Sequence, residues 1–479
     1  MAILSNLLSV SEPKGVWITI IKAFEAVTNN YVLAILFLTV VIKVLWSLVI
    51  EPLQTLTQQK MTASQSKMQP EIEKVEKKYA KQPEILQQKK NEVYKKYQGK
   101  QYFGSCFVML IATALNMLIF FTLFAGLQTM ASYKNSVSYD NTKYAYVNCI
   151  NVTDKYLNAN IEGVSYEDKL AYFEDYEKLS FEVRDVEVSQ GEEKTTKKVV
   201  DIVYGEGESA VTLYTTDYKY EKDFETEVTV PPEKEGEEAT TKIVVNENII
   251  PLIQKYMPVY EEGEEVGSKE IKVWTYTTQG EDGQQKIETL YFSTALQNVA
   301  MKHVFEVYDE NTESFLWVKN IWIADSPLSK SVLSYDTLKK QVGSKNFEEN
   351  EETIYNAFMT DLKEDKSTAN GYFIIPILIV AVPFLTNHIS KVYMRKRNEK
   401  KGLPPLKQNA GWMQIILPIV FGLFAFLYNT VFSIYLLTGQ IVSMIFKVPL
   451  LMFAHYFIDK QDKKKEEANK VTVDYSRKF

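Results

Sequence analysis

The sequence predicts a mainly α, polytopic membrane protein: a five-span helical bundle with a cytoplasmic helical hairpin and an inserted extracellular β-rich domain. Three observations predict it. Apolar residues are bunched into runs long enough to cross a bilayer. Basic residues gather in two short loops and the C-terminal tail. A long acidic segment, alternating apolar and polar in short stretches, interrupts the runs.

A helix crossing a hydrocarbon core of about 30 Å needs roughly 20 mostly apolar residues. Residues 31–50 meet that requirement with a single charge, Lys43, and 106–127 meet it with none, within a span expected over 103–131. The third run, 372–389, lies in a span expected over 371–390. It contains Pro376 and Pro383, which membrane helices tolerate as kinks. Residues 412–458 read as a tight hairpin of two spans, turning at Tyr428-Asn429. Its last part, 450–458, follows Lys447 and Pro449 and either lies along the interface or extends the final helix.

Basic loops mark the cytoplasmic side. The loop 52–102 has eleven Lys against five Glu, and 390–411 has seven basic residues against Glu399. The tail 459–479 has seven basic against five acidic, whereas 132–370 has 25 basic against 47 acidic. These counts place both loops and the tail inside and the acidic middle outside. The N-terminus is then outside, and residues 1–30 are read as a retained segment with an amphipathic helix on the outer face. In that helix Trp17, Ile20, Ile21 and Phe24 share helical spacing.

Within 51–102, Met68, Ile72, Val75 and Tyr79 recur every three or four residues, and a second helical pattern follows Lys81-Gln82-Pro83. Pro83 suits the first turn of that helix, so the loop reads as an antiparallel helical hairpin. The insertion 132–314 contains six alternating runs, at 181–188, 197–204, 210–216, 224–230, 270–278 and 286–292, separated by acidic turns containing Gly or Pro. That pattern predicts a β-rich module of sandwich type. Residues 315–370 form an outer segment with a helical insertion at SYDTLKKQV and EETIYNAFMTDLKED. The third span is followed by the basic loop 391–411 and, after the last hairpin, by the charged tail 459–479.

Lys43 stands twelve residues into the first run, about 18 Å along a helix at 1.5 Å per residue and so near mid-membrane. A lysine there costs about 2.5–3.5 kcal/mol even on insertion scales. No Asp or Glu lies within the spans to pair with it. Thr39, Lys43 and Ser47 fall on one face at intervals of four, a polar stripe that suits a hydrated cavity better than lipid. Thr113 and Asn116 of the second span, and Gln440 and Ser443 of the fifth, are placed to line the same cavity or to join helices by hydrogen bonds. The histidines (His303, His388, His455) are scattered, and Cys106 and Cys149 read as unpaired thiols. No metal-ligand spacing and no nucleotide-binding glycine motif is present, so the reading is a non-enzyme without cofactor.

Several stretches carry a resemblance. Lys67–Tyr97 is similar to the cytoplasmic coiled-coil loop of the YidC/Oxa/Alb3 membrane protein insertase family. NYVLAILFLTVVIKVLW resembles its first core span, which has one positive residue at the Lys43 position, and IFFTLF (119–124) resembles the end of its second. FLWVKNIWIADSP (315–327), YFIIPIL, MQIILPIVF (413–421) and IYLLTGQIVSMI (434–445) follow in the family's order. The chain departs from the pattern in having lysine for the usual arginine, Asn116-Met117-Leu118 where a proline is usual, and large insertions between the second and third spans.

The resemblance implies an insertase or chaperone for nascent membrane proteins in a bacterial plasma membrane. It would work through a positive hydrophilic groove open to cytoplasm and lipid, with apolar side chains including Tyr435 guiding the emerging helix. Its partners would be nascent membrane proteins and membrane lipid, with the ribosome and the Sec translocon left open and no DNA. A transporter or channel with an extracellular regulatory domain is the alternative; it predicts a polar path through the whole membrane and usually inverted repeats, which five spans do not display.

Overall fold

A computed structural model describes residues 12–97, 100–190, 193–219, 225–230, 240–245, 274–279, 285–290, 292–343, 347, 351–401 and 412–476. In chain order the helices are α1 (Val16–Thr28), α2 (Tyr31–Val49), α3 (Glu51–Tyr79), α4 (Pro83–Tyr97), α5 (Lys100–Asn158), α6 (Tyr166–Glu174), α7 (Phe292–Glu310), α8 (Tyr335–Val342), α9 (Glu351–Lys366), α10 (Ile374–Lys400), α11 (Trp412–Leu427) and α12 (Thr430–Ser476). The strands are β1 (Leu179–Gln190), β2 (Glu193–Tyr204), β3 (Val211–Asp217), β4 (Glu225–Val230), β5 (Thr240–Val245), β6 (Trp274–Gln279) and β7 (Gln285–Leu290). The chain divides into two compact units. One joins Pro13–Ala131, Phe315–Ser329 and Asn370–Phe479; the other joins Met1–Glu12, Ser132–Ser314 and Lys330–Ala369.

The first unit is a helical bundle. Among the described residues, four helices are long and apolar enough to cross a membrane: Tyr31–Val49, Phe107–Asn158, Ile374–Lys400 and Thr430–Gln461. The apolar helix expected as the fourth span is shorter, Gln414–Leu427. In α2 the buried side chains Tyr31, Ala34, Ile35 and Leu38 form one face, while Phe37, Val41, Leu45 and Leu48 stand exposed on the other. An apolar outer face around a packed inner one is what a bilayer requires of a bundle helix. Helix α1 packs on α2, with Phe24 stacked on Phe37 at 6.3 Å, and buries Ile18 and Ile21. Trp17 Nε1 donates to Thr122 Oγ1 at 2.9 Å. Asn29, left-handed at φ 51°, closes α1, and the Asn30 side chain accepts from Leu33 N to start α2.

Ile50 keeps right-handed helical angles, so α2 passes almost directly into α3, whose first turn tolerates Pro52. Helices α3 and α4 pack together. Lys96 meets Glu71 at 2.8 Å and Lys90 meets Glu76 at 2.6 Å, an antiparallel pairing. These pairs are exposed at one or both ends, so each is worth at most about 1 kcal/mol. Of the two courses open to 450–458, the helical one holds: α12 continues through Pro449 to Ser476.

The second unit corrects the sandwich expectation. The six alternating runs overlap β1, β2, β3, β4, β6 and β7 in that order, and β5 lies outside them, but the strands do not pair as a sandwich. Strands β1, β2 and β3 form one antiparallel sheet, while β4–β5 and β6–β7 are separate two-stranded pairs. The three-stranded sheet buries Phe181, Val200 and Ile202 in one core with Tyr146, Ile150 and Tyr156 of α5, Leu296 and Val304 of α7, and Tyr355 and Phe358 of α9. A sheet covered by helices is an α+β arrangement. Residues 132–158, which the sequence pattern places in the β-rich insertion, are helical. Their many Tyr, Asn, Thr and Val residues are weak helix formers, but Tyr139, Tyr146, Ile150 and Leu157 recur at helical spacing and all are buried. Burial of that stripe outweighs propensity.

Several polar groups inside this core are matched. Lys143 meets Glu351 at 3.0 Å with both side chains almost fully buried, and Tyr139 Oη donates to the same carboxylate at 2.7 Å. Tyr146 Oη donates to Gln297 Oε1, whose amide donates to Asp361 Oδ2 at 2.8 Å. Cys149 is a buried free thiol.

Candidate functional site

The spacing of Thr39, Lys43 and Ser47 continues unbroken as Glu51, Thr55 and Gln59. An interval of four is slightly more than one turn, so these residues form a slowly drifting face. That face meets α12, which has Gly439, Ser443, Lys447, Leu451 and His455 at the same interval. Two contacts set the register. Lys43 lies against Gly439: a Cβ there would come within 2.8 Å of Lys43 Cε and 3.5 Å of Cγ. At the other end Gln59 Oε1 and His455 Nε2 are 3.1 Å apart. Both pairs are separated by 396 positions, so the two helical rods run parallel and in step. The rungs between them are Ser47 with Ser443, Glu51 with Lys447, and Thr55 with Leu451.

Helical side chains lean toward the N-terminus, and Glu51 does so. Its carboxylate reaches back one turn to the serine rung, accepting from Ser47 Oγ at 2.9 Å and Ser443 Oγ at 3.4 Å. Its charge lies within Coulombic range of both Lys43 and Lys447. Thr39 is buried and donates to its own helix at Ile35 O, 2.7 Å. The side-chain oxygen of Gln440 is buried with no hydrogen-bond partner among the described residues. The result is a polar seam with two ammonium groups and one carboxylate inside an otherwise apolar bundle.

Residues 315–329 close the end of the bundle where α2, α10 and α12 begin. Trp322 packs edge-on against Tyr31 at 4.7 Å. Ile323 O and Ile321 O accept from the backbone N–H groups of Thr430 and Val431. Asp325, fully buried, accepts from Tyr372 N and Ile375 N, both at 2.8 Å, and so satisfies free donors at the start of α10. Asn370 holds the segment from within, donating to Asn320 O and Ala324 O and accepting from Asn320 N.

The expected site residues are thus distributed unevenly. Lys43, Ser47 and Ser443 come together in the seam, with Thr39 one turn away on the same face. Tyr435 is buried and tilts against Phe432 at 6.4 Å. Thr113 and Asn116 are exposed on α5, and Thr113 Oγ1 is satisfied by Met109 O. Sequence reasoning does not assign Glu51, Gly439 or Lys447 to the site. Glu51 stands just past the apolar run, and extending the four-residue interval by one step reaches it.

Residues 23–170 match the family described as 60Kd inner membrane protein. A curated relative, the membrane protein insertase YidC of Clostridium tetani (strain Massachusetts / E88), is 38% identical over 82 residues. That stretch is 17% of this chain and 34% of the relative, so the chain spans about a third of the relative's length. No solved structure matches the chain. Residues 23–170 are therefore similar to this family, in keeping with the resemblance of the chain to the YidC/Oxa/Alb3 insertases.

Proposed function

We propose that the protein is a membrane protein insertase that accepts nascent membrane segments at Lys43. The observation that supports this most is a lysine held over Gly439 in a polar seam, inside a bundle closed at one end by residues 315–329. In this reading the bundle has five spans, with α11 crossing beside α12. The N-terminus and the unit containing Ser132–Ser314 lie outside a bacterial plasma membrane, and the α3–α4 hairpin and the tail lie inside. The closed end faces outward, so the seam opens to cytoplasm and lipid.

An acidic residue in a translocating segment costs about 2.5–3.5 kcal/mol at mid-membrane. A lysine about 4 Å away returns roughly 4 kcal/mol at an effective dielectric constant near 20. Attraction of that size offsets the barrier without trapping the client permanently. Thr39, Ser47, Gln440 and Ser443 supply hydrogen bonds along the path, joined by Thr113 and Asn116 on α5, while Tyr435 and its apolar neighbours guide the emerging helix into lipid. No covalent step and no nucleotide is needed. Nascent membrane proteins and lipid are the partners, and the lysine-rich hairpin is suited to anionic lipid or to the ribosome; delivery from the Sec translocon is compatible with the same seam.

The test is complementation in a strain depleted of its own insertase, scored by protease protection of a client with acidic outer residues. Lys43→Arg keeps insertion because the charge stays, whereas Lys43→Ala lowers it. Normal insertion by the alanine variant removes the electrostatic role. Photocrosslinkers beside Lys43 should also capture ribosome-bound nascent chains; capture of none, together with ion flux through the purified protein, would favour a channel.

A further inference from the structure

Glu51 poses a question that the proposed function leaves open, because a carboxylate already sits where the client's carboxylate is to be drawn. It is held by hydroxyl donors from two helices, Ser47 of α2 and Ser443 of α12. The register of the seam puts Lys447 on the Glu51 rung and Lys43 two rungs above. Among the described residues neither lysine closes an ion pair with Glu51, although the register sets Lys447 level with it and Lys43 two turns away on the same face. Two cations therefore share one carboxylate without being locked to it, and the seam carries one uncompensated positive charge.

We propose that Glu51 is the resident counter-ion of Lys43 and Lys447, and that an acidic side chain of the inserting segment exchanges with it. Lys447 then belongs to the receiving site as its second cation. This rests on the insertase reading and deepens it: Glu51 sets how strongly the site prefers acidic clients. While no client is present, Glu51 balances one of the two positive charges in the seam, where an isolated ammonium is unfavourable. When a client carboxylate arrives, Glu51 remains with its two serine donors and the lysines turn to the newcomer. Hydroxyls suit this role because they hold the carboxylate without neutralising it.

The full-length chain, reconstituted in vesicles, is given two matched single-span clients whose translocated segments carry either two aspartates or two asparagines. The readout is the ratio of their protease-protected fractions. Glu51→Gln keeps the serine hydrogen bonds but removes the charge, and raises the ratio at least threefold. Lys447→Met lowers it by a similar factor. The double variant Glu51→Gln/Lys447→Met restores the original net charge and returns the ratio to near the starting value. If Glu51→Gln leaves the ratio unchanged while Lys43→Met lowers it, the counter-ion is refuted and the insertase reading stands. If Lys43→Met also leaves the ratio unchanged, attraction at Lys43 fails as well. Equal loss of both clients in Glu51→Gln, with no change in ratio, would make Glu51 a structural part of α3 and overturn the proposal.

Discussion

The carboxylate of Asp325 occupies the space that any side chain at residue 371 would need: a Cβ on Gly371 would lie 1.9 Å from Asp325 Oδ1 and 3.0 Å from its Cα. The glycine and the aspartate are one device. Gly371 leaves room for Asp325 to reach Tyr372 N and Ile375 N, and these hydrogen bonds fix the plug 315–329 to the start of α10.

Gly371→Ala should therefore act as a loss of the aspartate. A charged hydrogen bond contributes about 1.5–3 kcal/mol, and a buried carboxylate stripped of donors adds its own desolvation cost. The variant is expected to lower the thermal unfolding midpoint in detergent, and Asp325→Ala to do the same. An unchanged midpoint for Gly371→Ala would mean that the plug can re-form around a methyl group.

Gly439 allows Lys43 to lie flat on α12. Its nearest neighbour is the flexible end of the lysine, so Gly439→Ala is expected to push the ammonium aside with a mild loss of insertion. Gly439→Leu fills the rung and should lower insertion of an acidic client about as far as Lys43→Ala does. Protein level is scored alongside protease protection, so that loss of the rung is separated from loss of the fold.

The buried pair Lys143–Glu351 gives a stability prediction for the second unit. Removing one partner strands a buried charge, which costs about 3–5 kcal/mol, so Lys143→Met should be strongly destabilising. The double variant Lys143→Met/Glu351→Leu should recover much of the loss, because two apolar groups need no compensation. Denaturant unfolding of the full chain, followed by tyrosine signals dominated by this unit, provides the comparison.

His303 makes the stability of that unit depend on pH. Burial holds its imidazole below the ordinary value of 6.5, and the Glu306 carboxylate 3.8 Å away, with Glu310 nearby, opposes the shift only in part. The unfolded chain therefore takes up a proton first. Stability is intact above pH 6.5 and falls as the pH drops below it. His303→Gln should flatten the dependence of the unfolding midpoint on pH below about 6.5. The carboxylates Asp168 and Asp175, held low by hydrogen bonds from Ser165 and Lys178 respectively, should produce their own loss at more acidic pH.

Much of the bundle was legible because hydropathy and charge act locally. The apolar runs became α2, the early part of α5, α10, α11 and α12, and Pro83 opens α4. Lys43 stood out as a lone charge in an apolar run, and the hydroxyls one turn to either side marked its face. Glu51 is not legible as part of that face because the apolar run ends at residue 50, although the helix continues through that boundary. The helix at 132–158 is hidden for the opposite reason: its local preferences point away from a helix, and only its buried stripe offsets them.

The sequence by itself determined which segments are apolar enough to cross a membrane, where the charges gather, and that one ammonium sits deep in the first run, since each is a property of consecutive residues. Only the tertiary structure decided that Lys43 rests on Gly439 and that Ser443 reaches Glu51. It also decided that the sheet of the second unit is covered by helices. Those relationships join residues as much as 396 positions apart, and contact at that distance depends on how faces pack, which no local pattern encodes.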